Sequence, residues 1–211
     1  MPISRRLKIY PLSALLPILL DNGTNPYDST RRAGEKRLSL RPCDERHEPP
    51  DTLYEMARCV YEDRYFQVVV PDVPLNCRDD GGHLVVVKKI PVTDRSDLTY
   101  QESIAFMRIS MVVGKAMYDV LGIERMNYED LGNWGLDDPG GAKMHLHLFG
   151  RSHRQIHQIR GQHMFLYSKD HPIYQGHSKA LSEADEEQLR KRIGELLAEP
   201  KYTKMAEQAE L

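Results

Sequence analysis

The run Lys143-Met144-His145-Leu146-His147-Leu148-Phe149-Gly150-Arg151 constrains the fold of this 211-residue chain more than any other stretch. Side chains on a strand point alternately to opposite faces. A strand here places Lys143, His145 and His147 on one face and Met144, Leu146 and Leu148 on the other. The apolar face suits a core, and the cationic face suits an anion. Two imidazoles on one rigid face can bind a phosphate, attack one, or hold a metal.

The flanking sequence supplies partners for that strand. Arg64–Val70 is rich in aromatic and β-branched residues and reads as a strand. Pro71-Asp72-Val73-Pro74 ends it. A polar loop, Asn76–Gly82, leads to a second strand at His83–Lys88, and its length suits a hairpin. Tyr100–Leu121 places Ala105, Ile109, Val112, Val113, Ala116 and Val120 on one helical stripe, with Gly122 as a stop. Met126–Asp130 reads as a further strand. The turn-rich residues Asn133–Gly135 and Asp137–Gly141 then lead into the histidine strand. Ser182–Leu197 is an amphipathic helix with Ser182 as N-cap and acids in its first turn, and Pro200 lies just past its end. Strands joined by hairpins beside one long helix indicate an α+β fold with a mainly antiparallel sheet.

The length fits one domain with extensions. Residues 1–52 read as an N-terminal extension, partly irregular. Residues 53–155 read as the central domain, and 156–211 as a C-terminal extension carrying a helix at 182–198. Net charge is −2, so nothing global points to nucleic acid or membrane. Locally, residues 1–41 hold eight Lys/Arg against three acids, a basic arm that could touch nucleic acid, and residues 182–211 hold eight acids against five bases. The apolar run 9–20 follows basic residues, as in a signal peptide. Pro11 and Pro17 interrupt it, no A-x-A pattern follows, and it is too short to span a bilayer. It is expected to form a short docking helix. Three widely spaced cysteines argue against a disulfide framework or a cysteine zinc site and indicate a reducing, cytoplasmic setting.

The segments Asp80-Gly-Gly-His-Leu-Val-Val-Val-Lys-Lys89, the long helix, Asn133-Trp-Gly135 and His145-Leu-His-Leu-Phe-Gly-Arg151 together resemble the histidine-triad family. The resemblance runs from about Tyr61 to Arg151. It implies an antiparallel sheet with a flanking long helix, pairing into a homodimer, and action at the α-phosphate of a nucleotide conjugate without a metal or other cofactor. It casts His145 as the nucleophile that forms a nucleotidyl-histidine intermediate, and His147 as a ligand of the phosphate oxygens. His83, Asn133 and Lys143 become site residues, and Asp72 stands where a ribose-binding acid often lies. The backbone N–H groups of Gly140 and Gly141 are candidate phosphate donors. The chain departs from the family pattern in two places. Lys143 stands at the first triad position, and Pro139-Gly140-Gly141-Ala142 occupies positions where many members carry a Gln or Ser/Thr that assists the leaving group.

Imidazole chemistry supports the same assignment without the resemblance. A neutral imidazole is nucleophilic near pH 7, provided its second nitrogen donates a hydrogen bond that fixes the tautomer. Two other readings of the pair remain: a nucleotide-binding module without catalysis, and a metal-dependent hydrolase in which His153 or His157 completes the ligand set. Among the structural alternatives, His145 and His147 could be satisfied sheet histidines. Asn133 could cap its turn, and His153 and His157 could be exposed polar residues. Trp134, the single tryptophan, reads as core or as a cover over the site.

Overall fold

The computed structural model describes residues 57–168, 170–174 and 178–211. The basic arm, the apolar run at 9–20 and the irregular segment at 21–50 lie outside the described residues. Five strands form one antiparallel sheet: β1 (Arg58–Glu62), β2 (Phe66–Val70), β3 (His83–Lys88), β4 (Arg125–Asp130) and β5 (His145–Arg151). Their order across the sheet is β1-β2-β3-β5-β4, so the histidine strand is internal, between β3 and β4. The α+β fold read from the sequence is the fold observed.

The long helix α1 (Tyr100–Leu121) starts and stops where its sequence signals lie. Thr99 and Glu102 form a reciprocal capping box, and Gly122 ends the helix in the left-handed conformation. Its stripe of Ala105, Ile109, Val112, Val113 and Ala116 is fully buried. That stripe shares a core with Val68, Leu84, Val86, Leu146 and Leu148 from one sheet face. Val120 is only partly buried, and Met117 and Leu121 complete the stripe instead.

Two helices follow the sheet: α2 (Glu183–Leu197) and α3 (Pro200–Gln208). Pro200, read from the sequence as a terminator, is the first residue of α3, a position that proline suits because its missing N–H has no helical partner there. Leu189, Ile193 and Leu196 of α2 and Tyr202 of α3 are buried in the same core as α1 and the sheet. The segment read as an appended extension is thus part of the domain's interior. Polar ties reinforce it: Arg58 of β1 contacts Glu186 at 2.7 Å, and Arg108 of α1 donates to the Tyr202 carbonyl at 2.8 Å.

Strand β1 has no strong sequence signature, and its geometry explains why. It lies at the sheet edge with only Val60 buried, and its pairing with β2 slips between Cys59 and Tyr61. Alternation is blurred on such a strand. Among the described residues, no helix is long and apolar enough to cross a membrane.

The start of β3 is locked to the end of β5. Gly81 has φ of 129°, and a Cβ on either Gly81 or Gly150 would overlap the other's carbonyl oxygen. Only glycine permits this approach of two backbones. The buried Asn76 amide bridges the crossing, donating to the carbonyls of Gly82 (3.0 Å) and Gly150 (2.7 Å). This contact fixes where His83 enters the sheet.

Candidate active site

The sheet register gathers the histidines. His83 lies opposite Phe149, Val85 opposite His147, and Val87 opposite His145. Directly paired residues share a face, so His83, His145, His147 and Phe149 project together from the face opposite the helices. Met144, Leu146 and Leu148 point the other way and are buried, as the alternation requires. His83 and His147 are almost fully buried, and His145 is partly buried. Phe149 packs beneath them, stacked on His147 with centroids 5.3 Å apart and interplanar angle 11°.

Hydrogen bonds assign a tautomer to each ring. The Leu75 N–H donates to His83 Nδ1 at 3.1 Å, so that nitrogen carries the lone pair. A neutral His83 then holds its proton on Nε2, which lies 2.9 Å from His147 Nδ1. His147 accepts there and carries its own proton on Nε2. His145 is fixed independently: its Nδ1 lies 2.7 Å from the Lys143 carbonyl oxygen, an acceptor only. Nδ1 is therefore the donor, and the lone pair of neutral His145 is on Nε2. The two rings meet edge-on, with centroids 4.7 Å apart. The strand face thus carries one imidazole with its lone pair on Nε2 beside one with its proton there.

Burial keeps all three rings neutral at neutral pH. Desolvation lowers the His83 pKa to about 3, with a further push from His145. Desolvation also takes His147 far below the usual histidine range, helped by its two histidine neighbours. For His145, desolvation again lowers the pKa, opposed by the Lys143 carbonyl and by Asp130.

The other residues named from the sequence fall in varied places. Lys143 lies before β5 rather than within it, and its ammonium group folds back onto the Gly140 carbonyl. Its carbonyl, not its charge, is what contacts a histidine. Gly141 adopts φ of 64°, and its N–H is already donated to the Asp138 carbonyl at 2.8 Å. That amide is satisfied within the turn. Asp72 is engaged by the Arg58 guanidinium, which also binds Glu186 and the Leu181 carbonyl on the helix side. Asn133 is exposed in a 3-10 turn, Asn133–Gly135, that leads toward the histidine strand. Trp134, in the same turn, is 43% exposed and so is not a core residue.

Glu129 on β4 was not singled out from the sequence. It pairs directly with His147 and so shares the histidine face. Burial raises its pKa, while Arg151 and His163 oppose the rise. The signal lay in Asn127 and Glu129 alternating with Met126 and Tyr128. Phe149 was likewise visible only as an apolar residue after the motif, although the same alternation places it beneath the rings.

Among the described residues, no group of three or more His, Cys, Asp or Glu side chains is arranged to hold a metal ion. His153, a suggested third ligand, instead contacts Glu124 at 3.0 Å. The His157 amide donates to the buried Asp80 carboxylate.

No protein-family model and no curated protein matches the sequence. Solved structures are similar in fold. A histidine triad protein from Sinorhizobium meliloti is similar with TM-score 0.46 and 15% identity, over 69% of this chain and 93% of that one. A histidine triad protein from Marinobacter aquaeolei gives 0.43 and 17%, over 69% and 91%. A zinc-bound histidine triad family protein from Mycobacterium smegmatis gives 0.42 and 17%, over 65% and 84%.

Proposed function

We propose that this protein acts at the α-phosphate of a nucleotide conjugate, with His145 as nucleophile. The observation that carries the reading is the tautomer pattern: a lone pair on His145 Nε2 beside a proton on His147 Nε2. In-line attack forms the bond from His145 Nε2 to phosphorus and breaks the bond from phosphorus to the leaving group, which departs with the electron pair. The His147 Nε2–H donates to a phosphoryl oxygen as charge develops there. Water then attacks phosphorus, cleaves the phosphorus–nitrogen bond and releases the nucleotide.

A partly buried, neutral imidazole suits this role. Its lone pair is not lost to protonation near pH 7, and a nearby imidazole N–H is a fixed donor that need not reorganise. His83 acts through His147, holding it in the tautomer that donates. The sequence resemblance to the histidine-triad family points the same way. Lys143 departs from that pattern, and here its carbonyl orients the nucleophile.

The test is turnover of dinucleoside polyphosphates, nucleoside phosphoramidates and nucleotide sugars by the intact protein and by His145→Ala. Release of a mononucleotide that His145→Ala abolishes is the expected result. Release unaffected by that change would overturn the reading.

A further inference from the structure

The loops on either side of the histidine strand bring together a connected group of aromatic rings. Trp134 meets Tyr174 edge-on at 6.5 Å between centroids and 71°, and Tyr174 meets Tyr167 at 6.3 Å and 78°. Tyr167 meets Phe165 at 4.9 Å and 90° and stacks on His171 at 4.2 Å. This group is not packed away. Trp134 is 43% and Phe165 53% exposed, and Tyr167, His171 and Tyr174 are half-buried. In an edge-on pair, each ring keeps at least one broad face uncovered by its partner.

The group adjoins the histidines at two points. The Trp134 turn rests on the residues that lead into β5: a Cβ on Gly132 would meet Ala142 Cβ at 3.3 Å and the Lys143 carbonyl oxygen at 3.8 Å. That oxygen is the one that holds His145. At the other end, His163 lies close enough to Glu129 to oppose the rise that burial gives its pKa, and Glu129 pairs with His147. The chain between, from Arg151 to Ser168, contains three arginines and three histidines and no Asp or Glu. Arg160 and His153 share Glu124, and Arg151 is tied to Asn127 and the Ile159 carbonyl. Aromatic faces interleaved with arginines beside the histidine face match a base attached to a phosphate.

We propose that Trp134 and Tyr174, with Tyr167 behind them, form a stacking subsite for a nucleobase of the substrate conjugate. The occupant is a nucleobase carried on a small phosphate-containing molecule whose phosphate reaches the histidines, so the subsite rests on the reading of His145 and His147 given above. Stacking contributes about 1–3 kcal/mol per base, or roughly 5- to 150-fold in affinity.

Trp134 is the single tryptophan, so its fluorescence reports the subsite without any variant. Titration of the full chain with adenosine monophosphate and diadenosine tetraphosphate is expected to quench it, and ribose 5-phosphate, which lacks the base, is not. Tyr174→Leu is expected to raise KM for the diadenosine compound roughly tenfold or more with kcat unchanged. Turnover that depends on His145 but shows neither quenching nor a change in KM would refute the subsite and leave the catalytic reading intact. Quenching lost in Tyr174→Leu, in a protein with no turnover, would support the subsite and refute the catalytic reading. Quenching by a single-stranded oligonucleotide but by no mononucleotide would overturn the small-molecule occupant in favour of a strand.

Discussion

Acid should destabilise this fold in a window where most carboxylates are silent, and His83 should account for a defined share of the loss. In the unfolded chain His83 takes up a proton near pH 6.5, whereas in the fold burial delays protonation to about pH 3. Between those values the unfolded state binds more protons, so stability falls as pH falls. The contribution is fully present above 6.5 and is lost progressively on the way down to about 3. At 1.36 kcal/mol per unit, moving from pH 7 to pH 5 removes about 2 kcal/mol through His83 alone. His145 and His147 are shifted in the same direction and add to the loss. The assay is urea unfolding at pH 7, 6 and 5 for the native chain and for His83→Gln, a polar replacement that does not titrate. The native chain should lose at least 2 kcal/mol over this range, and the variant should lose about 2 kcal/mol less. Equal pH dependence in the two proteins would show that His83 is not buried in neutral form, and the tautomer argument would fall with it.

Three structural consequences follow from the packing. Gly150→Ala forces a methyl group into the Gly81 carbonyl, so a loss on the order of 3 kcal/mol or more is expected by urea unfolding; a change under about 0.5 kcal/mol would contradict the backbone contact. Ile193→Ala should cost about 2–5 kcal/mol, because Ile193 is buried in the shared core; an effect near zero would mean that α2 is peripheral. His147→Gln should lower kcat by more than tenfold while leaving stability at pH 7 within about 1–3 kcal/mol of the native chain, since it removes a donor on the site face and one buried hydrogen bond.

Much of the fold was legible because its signals are local and strong. The α1 helix carries a continuous apolar stripe ended by a glycine, and each of these signals is set by residues close in sequence. Strands β3 and β5 are internal and buried, and the β-branched run of one and the alternation of the other mark them in the sequence. Strand β1 and helix α3 were hidden for opposite reasons. On β1, edge exposure and a bulge remove the alternation; at α3, Pro200 serves a start as well as it serves a stop. At the site, the shared face of His145 and His147 followed from the period of two. The link from Leu75 through His83 to His147 did not, because it depends on the register between β3 and β5 and on a backbone amide from a loop. For Lys143, Gly141 and Asp72, residue type does not say which neighbours already satisfy a group. Each of the three binds a nearby partner: the Gly140 carbonyl, the Asp138 carbonyl and the Arg58 guanidinium.

The assignment of nucleophile and of nitrogen can be tested together. The chain is mixed with a nucleotide conjugate, quenched at high pH, where a phosphorus–nitrogen bond to histidine survives, and digested, and the linkage is located by mass spectrometry and 31P NMR. The account predicts a nucleotide bonded to His145 through Nε2, absent from His145→Ala. A linkage through Nδ1, or on any other residue, would contradict it, as would turnover with no trapped intermediate.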